Sequence, residues 1–420
     1  MNESRWRELY RPLGQARLPD EARHRIRASL LARPGKARAS TALRPGLWWL
    51  ASGAVAVALV GFALASQALR RPPATAHGKP PAHVAAPREL AASSIPITTI
   101  DMTSASSGWA LGNAGQVLRT DDAGRYWAVV TPRGVPKVAP YNLAITAFDR
   151  SHAWFAVAAQ SDTLVYRTAD GGASWQRSVI RASGGPQLRF YSPRRGYIML
   201  SLGAAAGSEG ILLLSTADGG GSWRIVGDGR PTPQEPSILF GGDKSGFGFA
   251  DALHGFITGE WAADSILLDA TSDGGRHWSH APLAVPAGLT AQGGSAESLP
   301  PAFFGASDGV MPVQFFNRTM TTVFYRTQDG GATWTPTTPV QGAQSQLQYS
   351  IVDPLHIVAT DGQKVFTSAD GGQSWVPHVV GKVLGGVTAL DFTNPRTGWA
   401  LAGAKLLRTT DGGLHWTVVR

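Results

Sequence analysis

The chain has 420 residues with 50 Gly, 14 Trp and only 16% charged residues, which suits one large all-β domain with additions rather than one small domain. It has no Cys, which excludes disulfides, thiolate metal sites, Cys nucleophiles and lipid attachment through Cys. The net charge of +9 is uneven: residues 1–46 hold 11 basic and 4 acidic side chains, residues 70–95 hold 4 and 1, and the remainder holds 23 and 24, so the main domain is not a nucleic-acid binder.

Residues 1–46 read as a basic cytoplasmic tail. It contains one short predicted helix, Asp20 to Ala32, opened by Pro19 and two acids and stopped by Arg33-Pro34-Gly35. Residues 47–69, LWWLASGAVAVALVGFALASQAL, carry no charge. As a helix they would be roughly 34 Å long, enough for a bilayer core of about 30 Å. Trp48 and Trp49 suit the interface, and the preceding basic residues place the N-terminus in the cytoplasm. The expectation is a single-pass signal-anchor in the cell membrane with the rest of the chain extracytoplasmic. Ala63-Leu64-Ala65 keeps a cleaved signal peptide as the alternative. Residues 70–94 are rich in Pro and Ala and read as an extended linker.

From residue 95 to residue 420 one unit repeats seven times. The copies are RTDDAGRYW (119–127), RTADGGASW (167–175), STADGGGSW (215–223), ATSDGGRHW (270–278), RTQDGGATW (326–334), TSADGGQSW (367–375) and RTTDGGLHW (408–416). The acids are Asp122, Asp170, Asp218, Asp273, Asp329, Asp370 and Asp411. Two residues on stand Gly124, Gly172, Gly220, Gly275, Gly331, Gly372 and Gly413; five residues on stand Trp127, Trp175, Trp223, Trp278, Trp334, Trp375 and Trp416. A Ser or Thr always precedes the Asp by two. Around each copy lie apolar runs such as VTALDF, GWALA and KLLRT, giving four short strands per unit. Seven such units predict a seven-bladed β-propeller of four-stranded blades; closure through a strand shared between the ends stays open. The Asp and the hydroxyl are expected to bind backbone amides of a turn, the second Gly to need positive φ, and the Trp to anchor the core.

The T-x-D-G-G-x-x-W pattern resembles the Asp-box, or BNR repeat, of bacterial sialidases, xyloglucan-hydrolysing enzymes, sortilin-type receptors and photosystem II assembly-factor propellers. The fuller units GWALAGAKLLRTTDGGLHW and GWALGNAGQVLRTDDAGRYW are most similar to the last of these. The resemblance implies a propeller over residues 95–420, with the boxes structural and distant from the ligand.

No catalytic or metal site and no cofactor are expected. A sialidase would show an F/Y-R-I/L-P motif, and none occurs; nor do G-x-S-x-G, H-E-x-x-H or a phosphate loop. The expected function is a non-catalytic scaffold or complex-assembly factor with a protein partner. The alternatives are an extracytoplasmic sensor signalling to the tail and a sialidase-like glycoside hydrolase. Connectivity puts the box turns and first-to-second-strand loops on one face. The second-to-third-strand loops and the links between units share the other, here called the link face. Glu209, Glu260, Trp261, Asp264 and Arg318 are the candidate partner-binding residues there, with Trp261 expected to be exposed between two acids.

Overall fold

The structure is a computed structural model that describes residues 88–91, 96–205, 208–230, 237–261, 265–289, 295–316 and 320–419. All of them belong to one compact unit, His77–Arg420. The predicted tail, the 47–69 span and residues 70–87 lie outside the described residues. Among the described residues no helix is long and apolar enough to cross a membrane.

The chain is all-β. Each repeat unit contributes four strands that are consecutive in sequence and antiparallel in the sheet. In the first unit they are Ile97–Met102, Gly108–Gly112, Val117–Thr120 and Tyr126–Val129. In the last they are Val387–Phe392, Gly398–Ala402, Lys405–Thr409 and Thr417–Val418. The small residue that opens the second strand has a steric reason. Phe392 lies opposite Gly398, and a Cβ there would sit 2.5 Å from its ring; Phe190 covers Gly196 in the same way.

The sheets pack face to face in chain order. Among the described residues seven apolar clusters form, each between two neighbouring units. One of them joins the ends: Met102, Leu118 and Trp127 of the first unit meet Trp399, Leu401 and Leu406 of the last. Among the described residues no strand is shared across this seam. It is closed by packing, by the Trp399 indole N–H donating to the Ala123 carbonyl (2.9 Å), and by the Met102 amide donating to Asp391 Oδ2 (2.6 Å).

Two expectations need correction. Residues 88–91, assigned to the linker, form a strand that pairs with Tyr126–Val129 and makes the first sheet five-stranded. The outer strand of that sheet otherwise has an unpaired edge, which a short extended segment can satisfy. The fourth and fifth units are also not separate sheets. They join as nine strands where Glu260 pairs with Glu297. The first strand of the fifth unit is split into Ser295–Ser298 and Ala302–Phe304, because Pro300 and Pro301 have no N–H to continue the ladder.

The first strands of consecutive units gather innermost. There the Asp101 carboxylate accepts the Ala147 amide (2.8 Å) while Asp391 accepts the Met102 amide, each capping the next unit's first strand. Burial pushes Asp101 up to about 6, and burial together with the charge of Asp101 pushes Asp391 up to about 7. Both values lie above the usual carboxylate range, so the fold prefers the protonated forms. That contribution is complete below about pH 4 and is lost as pH rises through 6 to 7. The melting temperature should therefore be higher at pH 5 than at pH 8, and Asp391→Asn should flatten the difference. Equal pH dependence in the variant would contradict this.

Candidate functional site

The seven boxes are built alike. In the last, the Thr409 hydroxyl donates to Asp411 Oδ1 (2.8 Å), the Gly413 amide donates to that hydroxyl (3.0 Å), and the His415 amide donates to Asp411 Oδ1 (3.0 Å). The same three bonds recur from Thr120–Asp122 to Ser368–Asp370. At Asp329 and Asp370 the hydroxyl and amide of Thr333 and Ser374 hold the carboxyl down at about 2. The residue after each Asp donates its amide to the first-to-second-strand loop, as in Ala123 to Ser106 and Gly412 to Arg396. Boxes and those loops therefore share one face.

Positive φ is not confined to the second glycine. The residue before it also has positive φ, including Ala123 at 65°. At two of the second glycines space adds to the constraint. A Cβ on Gly275 would lie 2.2 Å from the Val226 carbonyl, and one on Gly331 would lie 2.1 Å from the Phe256 ring. Gly275→Ala, also strained at φ 88°, should cost at least about 2 kcal/mol by chemical denaturation. Ala123→Gly should be near neutral or mildly stabilising. Of the box tryptophans, Trp127, Trp175 and Trp334 are buried, while Trp223, Trp278, Trp375 and Trp416 are half-buried.

On the link face the structure brings three of the five candidates together and changes their roles. Glu209 is not a surface residue. The long hairpin Gly196–Ala205 and Ser208–Thr216 folds over the next unit, and Glu209 is 9% exposed. Its amide donates to the Gly242 carbonyl (3.0 Å), and its carboxylate accepts the Lys244 amide (2.7 Å) and the Ser201 hydroxyl. Glu260 pairs in register with Asp243, one residue before Lys244. Trp261 is half-buried rather than exposed, with its ring so close to Gly241 that a Cβ there would lie 2.5 Å away. Asp264 and Arg318 lie outside the described residues.

Three neighbours of this group were not singled out by the sequence reading. Asp269, on the third strand of the fourth unit, is 0% exposed. Its Oδ1 is 2.5 Å from His280 Nδ1, and its Oδ2 has no hydrogen-bond partner among the described residues. Burial raises its carboxyl above the usual range, against the attraction of His280 and Lys244. The Lys244 ammonium donates to the carbonyls of Gly241 and Gly242, and burial lowers it. The His280 side chain is half open to solvent and meets Trp261 edge to face, 5.2 Å between centroids. Among the described residues no group of three or more His, Cys, Asp or Glu is placed to hold a metal ion.

The fold so described is that of a β-propeller. It is similar to the structure of YCF48 bound to D1 peptide, at 16% identity and a TM-score of 0.52, covering 78% of this chain and 97% of that one. It is likewise similar to YCF48 from Cyanidioschyzon merolae, at 16% identity and a TM-score of 0.50, covering 76% and 95%. A polysaccharide lyase, the PL25 ulvanlyase bound to its saccharide, follows at 11% identity and 0.45, covering 73% and 89%. At 16% identity the two YCF48 likenesses show the fold alone. No family model matches the chain, and no curated protein matches it.

Proposed function

We propose that this chain is a seven-bladed Asp-box propeller, held outside the cytoplasm by a membrane anchor at residues 47–69, that serves as a non-catalytic protein-binding scaffold or assembly factor. The seven inter-unit clusters and the seven equivalent turns support the blade number and the Asp-box reading. Seven like acids, each bonded to its own turn, are structural groups, so function is sought on the link face. The observation that carries the contact is the gathering of Glu209, Glu260 and Trp261 around residues 241–244, where a half-buried indole stands beside acids. The D1 peptide on YCF48 is the kind of polypeptide ligand that this reading extends to the present chain.

The test is affinity capture from membranes with the full chain. Trp261→Ala combined with Glu260→Lys should reduce recovery of partners at least about tenfold, while Arg195→Ala on the box face should not. Equal recovery with the double variant would overturn the contact.

A further inference from the structure

The residue two before each box hydroxyl is an apolar core residue in six units: Leu118, Tyr166, Leu214, Tyr325, Phe366 and Leu407, all buried against the preceding unit. In the fourth unit it is Asp269, equally buried. A carboxylate placed in an apolar core costs stability unless it is fully bonded, and Asp269 Oδ2 is not bonded. The repeat thus breaks its own packing rule at one position, beside the link-face group.

What Asp269 does is orient His280. With Nδ1 held by the carboxylate, the neutral imidazole keeps its proton on Nδ1 and presents Nε2 outward as an acceptor. The Trp261 ring stands against it. Lys244 lies near Asp269, Glu209 and Asp243, its ammonium already donates to two carbonyls, and Glu260 precedes Trp261 in the chain. An acceptor nitrogen, an indole and nearby carboxylates suit a cation that carries N–H donors.

We propose that this site takes a Lys or Arg side chain of a partner polypeptide. His280 Nε2 accepts its hydrogen bond, Trp261 supplies the aromatic surface, and Asp269 is the positioning residue. The proposal rests on the link-face contact and adds the chemistry of the partner.

The test is calorimetry on the full chain in non-ionic detergent, with matched short peptides bearing Arg, Gln or Glu at one position. At pH 8 the Arg peptide should bind at least about tenfold tighter than the other two. Asp269→Asn should remove most of that preference, and His280→Gln should weaken binding. Trp261→Ala, a change at a half-buried position, covers the case where a core variant fails to fold. No preference for Arg in the wild-type chain, or an unchanged preference in Asp269→Asn or Trp261→Ala, overturns the proposal. A preference for the Glu peptide overturns the cationic class yet leaves the link-face contact standing. Membrane capture unaltered by Trp261→Ala with Glu260→Lys removes the contact itself.

Discussion

Asp269→Leu should make this protein more stable and less able to bind. A buried polar group left without a hydrogen bond costs about 1–3 kcal/mol, and an apolar side chain removes that cost at Asp269 Oδ2. Here the site already has three leucine precedents, Leu118, Leu214 and Leu407, at the equivalent position. Denaturant midpoints should rise at unchanged slope, while the preference for an Arg-bearing peptide disappears. A variant that is destabilised and still binds would mean that Asp269 is a structural residue peculiar to this unit. The opposed signs matter, because damage to the fold lowers both quantities together.

Trp399→Ala should be the most damaging single aromatic truncation at the seam. Trp399 is fully buried between the last and first units, its indole N–H bonds the Ala123 carbonyl, and the Arg408 guanidinium lies 5.5 Å from its ring centroid. Truncation of a buried aromatic costs about 3–5 kcal/mol, with the lost hydrogen bond included in such measured values. Because no strand among the described residues crosses the seam, the variant should also become sensitive to limited proteolysis near residues 96–102 and 387–402. Trp416→Ala, at a half-buried ring bonded only to its own Gly413, should cost less than half as much. Equal losses from the two would contradict closure by packing at the seam.

The repeat made much of this fold legible. T-x-D-G-G-x-x-W fixes a turn between two strands, and its period fixes the unit; neither needs tertiary information. The link face was read less well, for physical reasons. Glu209 looks like a polar hairpin tip, and only the length of its two strands, which carry it onto the next unit, buries it. The split strand at Pro300-Pro301 was written in the sequence but hidden in a long link. Asp269 was visible in principle. Set beside QVLRT, KLLRT and TVFYRT, the stretch ILLDAT has an acid in an apolar column. Alternation within one strand does not reveal this; comparison down the seven strands does. The partnership with His280 arises only when the third and fourth strands pair.

The most direct test compares the two faces. A photo-crosslinking residue is placed at Trp261 on the link face and, separately, at Leu414, exposed beside the last box, in the full chain within its membranes. The account predicts adducts from position 261, mapped to Lys- or Arg-bearing segments of the partner, and none from position 414. Adducts from position 414 with none from 261 would contradict it.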